Sequence, residues 1–205
     1  MSQTEVPARQ RAKRADALRN VEAILQAATA CLVADPDASI AQIAAAAGVG
    51  RMTLYGHFKT RGELVDAVLQ RSLEESNEML KALDTSGDPT DALVRLAGAS
   101  WPIVHRFGNV LIAAHRELSP ERIHGVHDRV IRRIQTLIER GQRDGSFRTD
   151  LPKDWIVSLG MRLMHAAAED VAAGRLTPDV VPGVVASTFL AAIAPVGSPV
   201  PARIG

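Results

Sequence analysis

Residues 39–61, with the sequence SIAQIAAAAGVGRMTLYGHFKTR, constrain the fold of this chain more than any other segment. Ser39 is a favourable helix N-cap, because its hydroxyl can accept a hydrogen bond from a backbone N–H in the first turn. The apolar residues that follow recur at helical spacing and predict one buried stripe, made of Ile40, Ile43, Ala44 and Ala47. Gly48 comes next, where a left-handed residue usually ends a helix. The pattern predicts a short helix that ends in a tight glycine turn.

A second short helix is predicted to begin near Gly50 or Arg51. Leu54 and Phe58 are four residues apart and would share its buried face. The opposite face would carry Met52, Thr53, Tyr55 and Gly56. Two short helices joined by a three- or four-residue turn that contains glycine form a helix-turn-helix. The segment therefore predicts DNA binding.

The same segment resembles the DNA-binding signature of the TetR family of bacterial one-component regulators, over roughly residues 17–69. The matching residues are Ile43, Ala44, Ala47, Gly48, Val49, Thr53, Leu54, Tyr55, Phe58, Arg61 and Leu64. The family usually has lysine where this chain has Arg61; both cations can reach a phosphate, although arginine does so with a planar fork. The resemblance implies an all-α protein, with an N-terminal three-helix DNA-binding domain and a larger C-terminal helical domain for ligand binding and dimerisation.

The composition favours a helical protein. Hydrophobic residues make up 46% of the chain and aromatic residues only 3%, and alanine is abundant, which favours helices over a sheet-rich core. The net charge of +1 does not by itself indicate nucleic acid binding. Residues 1–62, however, contain eight basic and five acidic side chains, a modest basic bias around the motif. Cys31 is the sole cysteine, which excludes an intrachain disulfide and a cysteine-based zinc cluster.

The sequence also predicts where the protein resides. We find no run of about 18 apolar residues that could span a membrane. The N-terminal residues MSQTEVPARQRAKR lack the apolar core of a secretory signal. We therefore expect a cytoplasmic protein without a membrane partner.

The rest of the chain is predicted to be helical. Residues 1–14 are expected to form a disordered basic arm, either a solvated tail or an arm that enters a minor groove. Residues 15–62 would form the DNA-binding domain, which is braced by a helix from about Asp16 to Ala34. A capping box of Thr60 and Glu63 would begin a linking helix. This linking helix would cover residues 60–83. Residues 63–195 would form a helical regulatory and dimerisation domain, followed by a disordered tail over 196–205. Within this domain, further helices are predicted over about 89–105, 109–117, 120–143, 153–174 and 178–194.

The exposed face of the second short helix would read bases. An α-helix fits the major groove, where each base pair presents a distinct pattern of donors, acceptors and methyl groups. Arg51 is the best candidate for paired hydrogen bonds to guanine N7 and O6. Thr53 can bond a base or touch a thymine methyl group, and Met52 can make only the apolar contact. Gly56 has no side chain, so the backbone there could approach DNA closely.

Residues at the end of this helix would contact phosphates, which set the register and give salt-dependent affinity. The family resemblance implies a phosphate contact for the Tyr55 hydroxyl, and His57, Lys59 and Arg61 are placed for similar contacts. Each residue also has an ordinary interpretation, as a surface charge or a packed side chain. The full predicted DNA-binding set is Ser39, Arg51, Met52, Thr53, Tyr55, Gly56, His57, Lys59 and Arg61.

The last two predicted helices are apolar enough to form a dimer interface. A two-fold dimer doubles the number of bases read and requires a palindromic operator. By resemblance to the family, two helices from each chain would form a four-helix bundle. The alternative is that both are internal core helices of a monomer. The predicted interface residues are Trp155, Leu159, Leu163, Val181, Val184, Val185, Thr188 and Phe189.

The resemblance also implies a cavity for a small molecule whose binding releases DNA. Such a ligand must bind the released state more tightly than the DNA-competent state. The candidate lining residues are Trp101, His105, Phe107, His115, Met161, Met164 and His165. Plain core packing is the alternative for each of them. No cofactor or metal is expected.

Three other functions are compatible with parts of the sequence. A metal-dependent enzyme could use His115, His124, His127 and His165, of which His124 and His127 would share a helix face, although no adjacent glutamate or carboxylate pair accompanies them. A helical scaffold that binds protein would explain the C-terminal helices but not the cluster of basic and polar residues after Gly50. An activator would use the same DNA contacts as a repressor, and the resemblance favours repression.

Overall fold

Nine α-helices make up the described part of the chain. The structure is a computed structural model that describes residues 8–198, without the side chains of residues 8–15 and Val126, and no strand occurs in this range. The predicted all-α fold is confirmed. The helices are α1 (Ala8–Ala34), α2 (Ile40–Ala46), α3 (Arg51–His57), α4 (Arg61–Met79), α5 (Pro89–Glu117), α6 (Pro120–Val126), α7 (Asp128–Asp144), α8 (Lys153–Ala172) and α9 (Val181–Ile193).

The first helix begins earlier than the sequence pattern predicted. Residues 8–14 are helical, so the prediction that they are disordered is wrong. Alanine, arginine, glutamine and lysine, which fill this stretch, are strong helix formers. The prediction began the helix at Asp16 because the apolar periodicity starts there. Residues 1–7 lie outside the described residues, as do residues 199–205 of the predicted tail.

Helix α1 contains a segment, Asp16–Ala34, that is long and apolar enough to cross a membrane by length and composition alone. The prediction that no such run exists is therefore wrong, because alanines raise the hydropathy of this helix. Ile24, Ala28 and Leu32 are completely buried at a spacing of four residues. A core helix of a soluble protein has the same features, so the segment is weak evidence for a membrane span.

The described chain forms two compact units, and the divisions between them fall inside α4, α5 and α6. Unit 1 contains the residues up to Ser72 together with Asn109–Ile123. Unit 2 contains Leu73–Gly108 together with the residues from His124 onwards. Residues 109–123 therefore belong with the helix-turn-helix segment rather than with the regulatory domain to which the sequence prediction assigned them.

Two helix boundaries differ from the predicted ones. Helix α5 is continuous through Pro102 and as far as Glu117, where the sequence predicted two separate helices over 89–105 and 109–117. A proline removes one backbone hydrogen bond, and the other bonds and the buried face of this 29-residue helix remain. By contrast, the single helix predicted over 120–143 is divided into α6 and α7 at His127. His127 is buried, and Gly125 before it disfavours a continuous helix.

Other helix ends differ by a few residues. Helix α4 ends at Met79, and a turn follows it over 80–82. Helix α7 ends at Asp144, one residue past the predicted end, and the left-handed Gly145 with φ 84° follows it. Glycine often terminates helices, but Gly141 lies inside α7. In the structure, Gly141 instead makes room for a neighbouring side chain.

The core of unit 2 consists of two apolar clusters. The larger one includes Ile138 of α7, Ile156 of α8 and Phe189 of α9. The smaller one contains Trp101, Met164, Ala167, Val181 and Val185. Glycines allow two aromatic rings of this unit to lie directly against helix backbones, namely Phe147 against Gly141 and Phe189 against Gly160.

The contact at Gly141 gives a stability prediction. A methyl group at this position would lie 2.1 Å from Phe147 Cδ2, and the Phe147 ring is buried and cannot easily move. We expect Gly141→Ala to lower the free energy of unfolding by about 1–3 kcal/mol in urea titrations. The control is Gly108→Ala in α5, where a methyl group would meet nothing within 4 Å. It should be neutral or stabilising, and equal losses in the two variants would contradict the packing.

Candidate DNA-binding surface

Helix α2 begins with a capping box. The Ser39 hydroxyl accepts a hydrogen bond from the Gln42 backbone N–H at 3.3 Å, and the Ser39 N–H donates to Gln42 Oε1 at 2.7 Å. The predicted N-cap is confirmed. Gln42 was missed as its partner, although the Ser-x-x-Gln spacing signals this box. The Ser39 side chain thus has a role within the chain, and its contact with DNA stays a prediction.

The turn between α2 and α3 depends on one glycine. Gly48 has φ +67°, a left-handed conformation that glycine adopts without strain. The Val49 N–H donates to the Ala44 carbonyl at 3.0 Å, which closes the end of α2. Gly50 is extended and is the N-cap of α3. The predicted turn and the start of the second short helix at Arg51 are both confirmed.

Helix α3 has one buried and one exposed face. Leu54 has no exposed surface, and it anchors the helix in unit 1. The residues on the opposite face are exposed, and Met52 is 84% exposed. Arg51 forms no ion pair among the described residues. The exposed residues Arg51, Met52, Thr53, Tyr55 and Gly56 define what we call the α3 edge.

The residues after α3 satisfy its C-terminal end. Lys59 Nζ lies 3.5 Å from the Tyr55 carbonyl oxygen and 3.4 Å from that of Gly56, so a positive charge stands at the negative end of the helix. Lys59 is exposed, and His57 is half-buried. Both remain close to the α3 edge in sequence and space, as the phosphate prediction requires.

Helix α4 begins with only half of the predicted capping box. The Glu63 N–H donates to Thr60 Oγ1 at 3.0 Å, as predicted. The Glu63 carboxylate accepts from the backbone N–H of Lys59 at 2.6 Å, instead of from that of Thr60. This contact also fixes the backbone between α3 and α4.

Arg61 has a different role from the predicted phosphate contact. Its Nε donates to Glu117 Oε1 at 2.9 Å, and its Nη2 donates to the Pro36 carbonyl at 2.8 Å. Its Nη1 donates to the Ala38 carbonyl. All three guanidinium nitrogens therefore face groups of the same unit, and a phosphate contact is not supported. Sequence reasoning missed these partners because they are distant along the chain.

The predicted ligand-binding residues do not all come together. Trp101 and Met164 share the smaller apolar cluster of unit 2, and the exposed His105 ring lies 5.1 Å from the Trp101 ring. Met161 packs against the larger cluster. Phe107 is buried beneath the Arg106 guanidinium at 4.8 Å, and His165 is half-buried.

His115 is exposed and lies in unit 1, whereas the other six candidates lie in unit 2, and its contact with a ligand stays a prediction. A surface depression on unit 2 is lined by none of the seven candidates. Its lining residues are Thr90, Asp91, Val94, Ser146, Phe147, Leu190 and Ala194.

Unit 2 also contains polar atoms that the sequence did not single out. Arg133 Nη1 and both Nε and Nη2 of Arg140 are buried, and none of them has a hydrogen-bond partner in the described part of the chain. Buried donors without an acceptor are unfavourable. The Nε–Nη2 edge of an arginine matches the two oxygens of a carboxylate. These atoms are therefore candidate anchors for an acceptor group of a ligand.

The predicted dimer residues divide into two groups. Val181, Val185 and Phe189 are buried in the core of their own unit, so their assignment to an interface is wrong. Leu159 and Leu163 are half-buried against the same core. Trp155, Val184 and Thr188 are exposed. Other exposed side chains of the same two helices and of the N-cap of α9 are Arg162, Ala166, Val180 and Ala191. Both faces of α9 are apolar, so the sequence does not indicate which face is internal.

The histidines considered for metal binding are not on one helix face. His124 lies in α6, and His127 stands at the junction with α7. Among the residues that the structure describes, no group of three or more histidine, cysteine or acidic side chains could hold a metal ion.

Comparison with known proteins shows what the chain resembles. A family model described as "Bacterial regulatory proteins, tetR family" matches residues 24–68. The HTH-type transcriptional repressor LfrR of Mycolicibacterium smegmatis is 38% identical over 77 residues, which are 38% of this chain and 41% of LfrR. This sequence match therefore spans less than half of LfrR. The HTH-type transcriptional regulator NfxB of Pseudomonas aeruginosa is 26% identical over 160 residues, which are 75% of this chain and 83% of NfxB.

A solved structure shares the fold. The structure of LfrR from Mycobacterium smegmatis in complex with proflavine aligns with a TM-score of 0.66 at 24% identity. The alignment covers 85% of this chain and 96% of that one. The similarity therefore extends well beyond the segment that matches the family model.

The orientation of α3 can be tested without DNA. Leu54→Ala should lower the free energy of unfolding by about 2–5 kcal/mol, because it empties a fully buried site. Met52→Ala should change it by less than about 0.5 kcal/mol, because Met52 is mostly exposed. Chemical denaturation of the two variants gives both values. Similar losses in both would mean that α3 does not present this edge to solvent.

Proposed function

Because this chain belongs, by its N-terminal segment, to the TetR family of bacterial transcriptional regulators, we propose that it is a repressor that binds a palindromic operator as a homodimer and is released by a small-molecule ligand. The observation that carries this proposal is the α3 edge, which is exposed while Leu54 holds the helix from the other side. A helix held in this way can enter the major groove of DNA.

The residues of the α3 edge and those that follow it would make two kinds of contact with DNA, to base edges and to phosphates. Arg51 stands in the first turn of α3 and can donate two hydrogen bonds to guanine. Thr53 and the exposed Met52 can touch thymine methyl groups. Tyr55, His57 and Lys59 are placed for phosphates, which hold the helix in register without reading sequence.

Repression is supported by the name of LfrR, a transcriptional repressor, with which this chain is 38% identical over 77 residues. An activator would use the same contacts at a different operator position. We expect the protein to act in the cytoplasm, where the DNA of a bacterium lies.

The dimer is supported by the outer faces of α8 and α9. One short helix reads only a few base pairs, and two copies related by a two-fold axis double the readout. Trp155 is 56% exposed and Val184 is 43% exposed, although both are large and apolar. With Val180, Thr188 and Ala191, the Val184 side chain forms an outer stripe along α9. A second copy of the chain would remove this stripe from water.

A ligand is supported by the relative that was solved with one. LfrR was crystallised with proflavine, a small molecule. In this chain, unit 2 contains a core with Trp101 and Met164, and buried donors on Arg133 and Arg140. Helices α4 and α5 contribute residues to both units. A ligand bound in unit 2 would lower DNA affinity by as much as it prefers the released state.

Base and phosphate contacts can be separated by substitution. Arg51→Ala should weaken operator binding by about 1–3 kcal/mol and remove discrimination at one base pair of each half-site. The matched variant Lys59→Ala should weaken all sequences alike and reduce the slope of log affinity against log salt by about 1. Fluorescence anisotropy with operator and scrambled duplexes measures both effects. Equal affinity of the unmodified protein for the two duplexes would contradict the proposal.

The dimer face can be tested by adding a charge. Val184→Glu should convert the protein to a monomer at micromolar concentration, because it would bury a carboxylate without a partner in an apolar contact. The control is Met79→Glu, which replaces an apolar side chain that is 53% exposed and lies outside this face. Sedimentation velocity should show a dimer for the control and for the unmodified chain. A monomer in the unmodified chain would contradict the assignment.

A further inference from the structure

We propose that Arg61 is a positioning residue for DNA recognition: it fixes the loop before α2 against the end of α5 and so sets the direction in which α3 presents its exposed edge. The proposal rests on the proposed DNA-binding function. It assigns to Arg61 a role other than the phosphate contact that the sequence predicted.

The Arg61 guanidinium makes three hydrogen bonds within unit 1. Three nitrogens on one planar group each have an acceptor, namely the Glu117 carboxylate and the carbonyls of Pro36 and Ala38. The Arg61 side chain is 25% exposed and that of Glu117 is 29% exposed. Such a pair is less screened by solvent than a fully exposed ion pair. Lysine has one nitrogen and cannot reproduce this planar arrangement of three donors.

The three acceptors of Arg61 lie at the end of α5 and in the loop before α2. Glu117 is the last residue of α5, and Arg61 is the first residue of α4. Pro36 and Ala38 lie in the loop between α1 and α2, directly before the N-cap Ser39. One side chain therefore joins two helix ends to the loop from which α2, the glycine turn and α3 continue. All of these residues lie in unit 1.

Further polar contacts hold the same stretch of α5 and α6 within unit 1. Asn109 Nδ2 donates to the Val33 carbonyl at 2.9 Å, and Arg116 pairs with Asp37. Arg122 forms two hydrogen bonds to Asp66, at 2.7 Å and 2.8 Å, which raise the pKa of Arg122 above its usual value. Residues 109–123 are therefore attached to the end of α1, to the loop before α2 and to α4. Arg61 is placed where these attachments reach the loop.

The position of α3 determines how tightly the protein would bind its operator. Two-point hydrogen bonding between Arg51 and a guanine requires α3 to be held within about 0.5 Å of the productive geometry. A loop that loses its anchor lets α2 and α3 shift together, which weakens base contacts. The number of phosphates that Lys59 and its neighbours can reach does not change in this case. Loss of Arg61 should therefore reduce specific binding without reducing its salt dependence.

The test uses the full chain, an operator selected from random DNA and a matched set of variants. Arg61→Lys keeps the charge and loses the planar fork, and Glu117→Gln removes the anionic partner. We expect Arg61→Lys to weaken operator binding about tenfold and to leave the salt slope unchanged. Glu117→Gln should act in the same direction, and the double variant should be no worse than Arg61→Lys alone. Arg175→Lys is the control, because it makes the same change in an exposed ion pair with Asp170 that lies in unit 2 and should contribute little.

Three results would overturn the proposal while the proposed function stands. A salt slope reduced by about 0.9 per protomer in Arg61→Lys would mean a phosphate contact that lysine does not make. A lower melting temperature with unchanged affinity would mean a purely structural role. Strictly additive losses in the double variant would mean that Arg61 and Glu117 act separately. An unmodified protein without preference for any DNA sequence would instead overturn the proposed function, and this proposal with it.

Discussion

The burial of Leu54 is the interaction on which the candidate site depends. A seven-residue helix such as α3 is too short to be stable alone in water, so it needs packing on one side. Leu54 provides that packing with no exposed surface. Because the anchoring side chain occupies one face, the opposite face is free for contact with a partner. The α3 edge is therefore a consequence of how this helix is held.

The elements around α3 fix its two ends. The left-handed Gly48 and the extended Gly50 set its start, and Lys59 together with the Glu63 carboxylate fixes the backbone at its end. Arg61 then ties the loop before α2 to the end of α5. In unit 1, local helix caps and a few polar contacts between distant residues hold the short helices in place. The same residues therefore determine where the exposed side chain of Arg51 can reach.

Features of the fold that depend on near neighbours could be predicted from the sequence, and those that depend on distant ones could not. Ser39, Gly48 and Leu54 act within one or two helical turns, and their caps, turn and buried face are readable in the sequence. The partners of Arg61 lie 23 to 56 residues away, and no local pattern indicates them. In α9, valines occupy both faces, so periodicity could not separate the core residues Val181 and Val185 from the exposed Val184. The break at His127 likewise depends on packing.

The measurement that tests the account most directly is selection of preferred DNA from a random pool with the purified chain. If the α3 edges of two related copies read the major groove, the selected sequences contain two inverted half-sites, with centres about 34–36 Å or a multiple of that apart. A pool that shows no enrichment of any sequence would contradict the claim that this edge recognises DNA.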